Sequence, residues 1–282
     1  MSYEEVKVSC LGPSGSFSQE FAIAQFPGAD ICPVDGGFDA VAELVALGEC
    51  DFAVLPFLNS SGINVEPVHK VLGALAGEVF VVGCFPHEVI HHVVVDDAFL
   101  TLQKLVSKEQ VFPQCSEWRA SWKGELEQEY SKSTSAGLRD LLRADLGTRQ
   151  TTGVICNELA VSNFGGSIRY RQIQNRGNTT LFLVIQREKP SITDRLVVCL
   201  NCPDQECYDA ALHEFSKAGA PLFFTSLKGK FTTEIPKFLE FEVSESLDQC
   251  RMLAFAEAPH RTLLGSYTKK DSISNCISRL LD

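Results

Sequence analysis

From its first residues the sequence alternates short β-rich runs with helical stretches, and that alternation restricts the folds open to it more than any other feature. Val6–Leu11 reads as a strand and is followed by a Gly12-Pro13-Ser14-Gly15 turn. From Ser18 the apolar residues Phe21, Ala22, Ala24 and Phe26 read as a helix that ends at Pro27-Gly28. Phe38–Gly48 reads as an amphipathic helix, Asp51–Leu55 as a buried strand, Asn59-Ser60-Ser61-Gly62 as a polar loop, and Val65 to Ala76 as a helix. Val79–Phe85 and Glu88–Val95 read as strands, the second carrying the chain into another lobe. Leu100–Ser107, Cys115–Lys123 and Thr134–Ala144 read as helices, and Gly153–Cys156 and Thr180–Gln186 as strands. Repeated strand-then-helix order predicts an α/β architecture with mostly parallel sheets.

The charged, proline-containing stretch Arg187-Glu188-Lys189-Pro190-Ser191 suits a domain linker. Beyond it the order is strand (Arg195–Leu200), helix (Gln205–Ala218), strand (Pro221–Lys228), strand (Lys237–Val243), helix (Ser246–Ala256) and strand (Arg261–Tyr267). That is the βαββαβ order of ferredoxin-like domains. A last helix, Ser272–Leu281, follows.

A chain of 282 residues, 45% hydrophobic and 22% charged, is long and apolar enough for one large or two ordinary globular domains. Its net charge of −11 gives it no general attraction to nucleic acid or anionic lipid, so an anionic ligand needs a local site. Met1-Ser2-Tyr3-Glu4-Glu5 lacks the basic and apolar parts of a signal peptide, and no apolar run reaches the roughly 18 residues of a membrane span, so a cytoplasmic location is expected. The eleven cysteines are scattered in apolar strings and read as buried, reduced thiols. The one close pair, Cys199 and Cys202, has no second pair to complete a zinc set, so no metal is expected.

Three polar loops each follow a strand or open a helix: 12–18, 59–62, and Ser133-Thr134-Ser135. Free backbone N–H groups and the helix dipole favour anions there, which fits an acidic protein with an acidic ligand. Ordinary helix capping explains any one of them alone; only their convergence in one cleft makes a site. The first loop lacks the third glycine of a dinucleotide fingerprint and the Gly-Lys-Ser/Thr of a phosphate loop, so no phosphorylated cofactor is indicated. His91-His92 lies in a valine-rich strand and reads as structural.

Taken together the loops resemble the prephenate dehydratase family with a C-terminal ACT domain. Gly12-Pro13-Ser14-Gly15-Ser16-Phe17-Ser18 is similar to its G-P-x-G-T-[FY]-S, and Val54-Leu55-Pro56-Phe57-Leu58-Asn59-Ser60-Ser61-Gly62 resembles V-P-[IL]-E-N-S-x-x-G. Ser107 to Cys115 resembles S-H-P-Q-x-x-x-Q-C, with Lys108-Glu109 replacing His-Pro. Ser133-Thr134-Ser135-Ala136 matches S-T-x-A, and Asn178-Thr179-Thr180-Leu181-Phe182 resembles N-x-T-R-F.

The resemblance implies a two-lobed, periplasmic-binding-protein-like catalytic domain over residues 1–189 and an ACT-like regulatory and dimerisation domain over 190–282. One lobe would hold residues 1–83 and 165–189, the other 84–164, with the substrate between them. It further implies a cofactor-free enzyme that turns prephenate into phenylpyruvate by loss of CO₂ and the ring hydroxyl, in phenylalanine biosynthesis, assembled as a homodimer or homotetramer through the ACT-like domain. Thr180, Asn59 and Ser60 are then the catalytic residues, Thr180 hydrogen-bonding the departing hydroxyl, while Ser16, Ser107, Gln114, Ser133 and Thr134 hold the substrate. No chorismate mutase segment is expected.

Two losses fall inside the most informative of these motifs: Leu58 replaces the family's glutamate, and Leu181 its arginine. If those two charges pair, their joint loss strands neither. They leave two alternatives: a non-aromatising prephenate decarboxylase of secondary metabolism, or a catalytically silent small-carboxylate binding or regulatory protein. In the C-terminal part, Glu206-Cys207-Tyr208 and Lys228-Gly229-Lys230-Phe231 stand where ACT domains of the family carry their phenylalanine-binding motifs, so altered or absent feedback is expected.

Overall fold

The computed structural model describes residues 5–60, 65–217, 222–224, 237–243 and 261–281. The chain opens with β1 (Lys7–Leu11), α1 (Phe17–Gln25), β2 (Asp30–Val34), α2 (Phe38–Ala46), β3 (Phe52–Asn59), α3 (Glu66–Ala74) and β4 (Phe80–Glu88). It continues with β5 (His92–Val95), β6 (Lys104–Ser107), α4 (Val111–Gln114), α5 (Ser116–Ser121), β7 (Glu127–Tyr130) and α6 (Thr134–Leu141). Then come α7 (Leu146–Thr151), β8 (Thr152–Cys156), α8 (Glu158–Phe164), β9 (Ser167–Tyr170) and the long return strand β10 (Thr179–Gln186). The C-terminal part holds β11 (Arg195–Leu200), α9 (Gln205–Lys217), β12 (Leu222–Phe224), β13 (Lys237–Glu242), β14 (Arg261–Tyr267) and α10 (Ile273–Leu281).

Two sheets organise these elements, in the order β12-β13-β11-β14-β4-β10-β3-β1-β2 and β7-β6-β8-β5-β9. The part of the chain up to β10 is therefore α/β and two-lobed, one lobe built on each sheet. The expectation of mostly parallel sheets is corrected: β1 lies parallel to β2 and β3, but β10 returns from the second lobe and enters antiparallel between β3 and β4. A strand that arrives from the other lobe need not obey the handed crossover that makes neighbours parallel. The second sheet is mixed for the same reason, with β5 antiparallel to β8 and β9.

Leu100–Ser107 is not a helix; its second half is strand β6, in which Leu105 and Ser107 point inward and Lys104 and Val106 are only partly covered. The two leucines Leu102 and Leu105 are spaced as on a helix face, and four strand residues are too few to display a period of two. Strand membership also moves the lobe crossings: β4 stays in the first sheet as far as Glu88, and β9 belongs to the second, so the chain crosses at 89–91 and 171–178 rather than at 84 and 165.

The largest apolar core lies on the α2–α3 side of the first sheet, where Val41, Leu55, Phe57, Leu72, Leu181 and Leu183 are all sealed from solvent. Each such side chain stabilises the fold by about 2 kcal/mol through burial. This core runs on into the C-terminal strands through Val197, Phe238, Leu264 and Ile273. The two parts join where β14 meets β4 at Gly265 and Val81; a Cβ at Gly265 would collide with the Val81 carbonyl, so only glycine permits the approach. The opposite face packs α1 through Phe21, Ala22 and Phe26 against Val54, Phe182 and Val184.

The C-terminal strands β12, β13, β11 and β14 are mutually antiparallel. The expected helix Ser246–Ala256 and the Lys228–Phe231 segment lie outside the described residues. All ten described cysteines are free thiols, and burial pushes Cys10, Cys115, Cys156 and Cys199 up to about 12. Among the described residues no helix is long and apolar enough to cross a membrane, and no cluster of three or more His, Cys, Asp or Glu is placed to hold a metal.

Candidate active site

The end of β10 sets the site. Thr180 lies directly opposite Asn59 on β3, and on its other side directly opposite His87 on β4. Side chains alternate along a strand, so Thr180 and Phe182 share the α1 face while Leu181 and Leu183 enter the core behind it. The cross-strand partner of Leu181 is Leu58. Both replaced charges of the family motifs thus fall on the face away from Thr180.

A chain of hydrogen bonds runs from the first lobe to the second through this point, and one carbonyl fixes its direction. Asn178 donates from Nδ2 to the Val89 carbonyl at 3.0 Å, which a side-chain oxygen cannot do, and from the same nitrogen to Gln114 Oε1 at 3.1 Å. Asn178 Oδ1 is therefore the acceptor from Asn59 Nδ2 at 3.3 Å, and Asn59 Nδ2 also donates to Thr180 Oγ1 at 3.0 Å. Thr180 accepts in this chain and keeps its own proton to donate. Gln114 Oε1 accepts a second bond, from His91 Nε2 at 2.9 Å. With its oxygen engaged twice, Gln114 has its amide N–H groups left over.

His91 is 1% exposed, and burial pushes its pKa down to about 4, against an opposing pull from the Gln114 hydrogen bond. It is thus a neutral ring carrying its proton on Nε2, and its buried Nδ1 has no hydrogen-bond partner. The neighbouring His92 accepts from the Gln172 backbone N–H through Nδ1 at 3.1 Å; burial lowers its pKa as well. The two histidines are buried as a structural reading requires, yet His91 is also a partner of the candidate site.

The first and third polar loops approach each other, and the second reaches the first through the Asn59–Asn178–Gln114–His91 chain. Phe17 of the first loop stacks edge-on against His91 at 5.0 Å between ring centroids. Gly15, at φ +80°, passes so near the second lobe that a Cβ there would lie 3.3 Å from Ser135 Cβ and 3.0 Å from Ala160 Cα. Ser14 Oγ accepts from Asn163 Nδ2 across the lobes at 2.9 Å.

The remaining expected residues have these places. Ser60 brackets the start of β10, its N–H donating to the Thr179 carbonyl at 2.8 Å and its Oγ accepting from the Thr179 N–H at 3.0 Å. Ser61 and Gly62 lie outside the described residues. Ser16 caps α1: its hydroxyl accepts from the Gln19 N–H at 3.1 Å and donates to the Leu11 carbonyl at 2.6 Å. Ser133 caps α6 by accepting from the Ala136 N–H at 3.0 Å, and Thr134 behind it is buried. Ser107 is sealed, its hydroxyl donating to the Ile155 carbonyl at 2.9 Å and so tying β6 to β8. Asn59, Thr180 and Gln114 are therefore joined in one network, while Ser16 and Ser107 spend their hydroxyls on the backbone and Ser133 shares its own between the Ala136 N–H and the Ser135 hydroxyl. Asn178, His91 and His87 were not placed in the site by sequence reasoning; Asn178 stood inside a quoted motif, His91 was read with His92 as structural, and nothing local marked His87. A separate cavity of about 520 Å³, lined by Glu109, Phe112, Arg119 and Tyr130 among others, shares none of these site residues.

Comparisons with known proteins bear on the family and the fold. The family model described as prephenate dehydratase matches residues 8–190. The bifunctional chorismate mutase/prephenate dehydratase of Pseudomonas aeruginosa is 26% identical over 216 residues, covering 75% of this chain; the chain spans only 56% of that relative's length. Among solved structures, the prephenate dehydratase of Arthrobacter aurescens in complex with L-Phe superposes with a TM-score of 0.74 at 22% identity, covering 97% of both chains. A protein described as a novel type of quorum-quenching acylase superposes at 0.69 and 20% identity, covering 93% of this chain and 97% of its own. At such identities these likenesses show the fold alone. The family match covers well over half of the sequence, and the chain belongs to the prephenate dehydratase family.

Proposed function

We propose that the chain is a prephenate dehydratase, a lyase that converts prephenate to phenylpyruvate in phenylalanine biosynthesis. The observation that carries this reading is the polarity of the Gln114–Asn178–Asn59–Thr180 chain, which leaves the Thr180 proton unspent at the seam between the lobes. Loss of the ring hydroxyl needs a donor at the departing oxygen, and a preorganised hydroxyl supplies one without having to ionise. The spare N–H groups of Gln114 offer donors to a carboxylate, and the Ser16 and Ser133 loops add helix N-termini that favour anions. The convergence of the loops orients the substrate so that the leaving carboxylate lines up with the ring. This reading calls on no cofactor.

The lost charges favour the decarboxylase and silent-binder alternatives less than the sequence suggests, because Leu58 and Leu181 meet each other behind the sheet and leave the Thr180 network intact. The same reading makes residues 1–189 the catalytic domain and 190–282 an ACT-like domain through which the protein dimerises or forms tetramers in the cytoplasm; the antiparallel order β12-β13-β11-β14 supports the ACT-like assignment. Expression in a bacterial strain unable to make phenylalanine for want of prephenate dehydratase tests it. Growth without added phenylalanine is expected, and a Thr180→Ala version is expected not to support it. No growth from a well-expressed, folded protein contradicts the reading.

A further inference from the structure

We propose that His87, oriented by Glu20, is a further catalytic residue that delivers the proton to the departing hydroxyl beside Thr180. The inference rests on the prephenate dehydratase reading and deepens it. His87 stands directly across from Thr180 in the β10–β4 register, so the two side chains share a face with Cβ atoms about 5 Å apart. Asn59, Thr180 and His87 therefore form one row across three neighbouring strands. The imidazole is held there by aromatic edges, Phe21 at 5.6 Å and 70° and Phe182 at 6.1 Å and 79°. Its Nε2 is buried without a hydrogen-bond partner and faces the Glu20 carboxylate, with Oε2 at 3.6 Å. That is too long for a formed hydrogen bond, and it places a carboxylate beside the ring for the moments when both nitrogens carry protons. Glu20 is fixed in turn from the other lobe by Asn157, whose Nδ2 donates to the same Oε2 at 3.3 Å. The His87 Nδ1 carries no hydrogen bond to the described residues.

The arrangement has the parts of a working acid: one nitrogen faced by a carboxylate, the other unengaged, and a ring 20% exposed that can recover protons from water. In the step proposed, the C–C bond to the ring carboxylate breaks and releases CO₂, and its electron pair enters the ring. The C–O bond at the hydroxyl-bearing carbon breaks toward oxygen, and the Nδ1 proton of His87 converts the leaving group to water. One proton is consumed, and the neutral imidazole regains it from solvent. Thr180 holds the oxygen while the proton arrives.

The test is steady-state formation of phenylpyruvate from prephenate by the full chain and by His87→Ala, His87→Asn, Glu20→Gln and Thr180→Ala versions, each checked for native circular dichroism. His87→Ala and His87→Asn are expected to lose about 100-fold in kcat with KM changed less than about threefold. Added imidazole is expected to restore a concentration-dependent rate to His87→Ala and none to Thr180→Ala, a response no packing defect gives. Glu20→Gln is expected to lose about tenfold alone and nothing further in the His87→Ala background. Folded His87 variants with kcat within about threefold of wild type, or a loss confined to KM, overturn the assignment of His87 while leaving the dehydratase reading in place. If His87→Ala does not fold, the His87→Asn and Glu20→Gln values decide. A wild-type protein that forms no phenylpyruvate fails earlier and overturns both.

Discussion

Leu58 and Leu181 are direct cross-strand partners on β3 and β10, and Leu181 is fully sealed in the core behind the sheet. The two positions at which the chain replaces a charged residue of the strand motifs by leucine are therefore one structural change. An arginine placed alone at 181 would be a buried, unpaired cation, which costs about 3–5 kcal/mol, whereas a glutamate opposite it at 58 gives that charge a partner. We expect Leu181→Arg to lower stability by about that amount, and the double change Leu58→Glu/Leu181→Arg to recover at least about 1 kcal/mol. Urea unfolding of the wild type, both single variants and the double variant gives the coupling; strict additivity would show that the two side chains do not meet.

The His91 ring is folded in its neutral form, with a pKa near 4 against 6.5 when unfolded. As pH falls, the unfolded chain binds a proton near 6.5 that the folded chain refuses until about 4. The contribution of neutral His91 is thus complete above 6.5 and is lost between 6.5 and 4, amounting to about 3 kcal/mol at the bottom of that window. Replacing His91 with Phe should flatten the fall in unfolding free energy between those pH values. An unchanged slope would mean that another group governs the acid limb.

Much of the fold could be read ahead of the structure because many elements carry a one-sided apolar pattern. β14 coincides with Arg261–Tyr267 as read from sequence, and α2 and β10 differ from their expected spans by two residues or fewer. Strand β7 could not be found that way, since an edge strand reading Glu-Gln-Glu-Tyr buries nothing that marks its period. The direction of β10 was equally hidden, being decided by where the chain re-enters after a whole lobe. In the site, motif spacing picked out Asn59, Gln114 and Thr180. The partners that give them direction come from 64 and 119 residues away in the chain, and only the packed structure selects them.

Glu240 is a sealed carboxylate that ties the last helix to the C-terminal sheet. It accepts from the backbone N–H groups of Ile273 and Ser274 at 2.9 Å each and from the Tyr267 hydroxyl at 2.7 Å. Burial, reinforced by this carboxylate, pushes the Tyr267 hydroxyl well up, which keeps it a donor. Glu240→Ala leaves three donors unanswered and should cost about 3 kcal/mol. Hydrogen exchange should speed up in residues 273–281 before the rest of the chain; uniform protection there would contradict the capping role.

Asn178 turns the amides of both Asn59 and Gln114, so its loss should be felt in turnover more than in binding. Asn178→Ala is expected to lower kcat about 10- to 100-fold, because Asn59 no longer has a fixed orientation toward Thr180. A change confined to KM would place the network in substrate binding alone.

In the proposed reaction the Thr180 hydroxyl assists departure of the ring hydroxyl of prephenate. Its most direct test is to incubate the purified protein with prephenate at neutral pH, beside a Thr180→Val protein and an enzyme-free control, and to identify the products by ultraviolet spectrum and mass. Phenylpyruvate is expected from the wild type, with the valine version slower by about 100-fold or more. A non-aromatic product that keeps its hydroxyl, no product at all, or equal rates from the two proteins would contradict it.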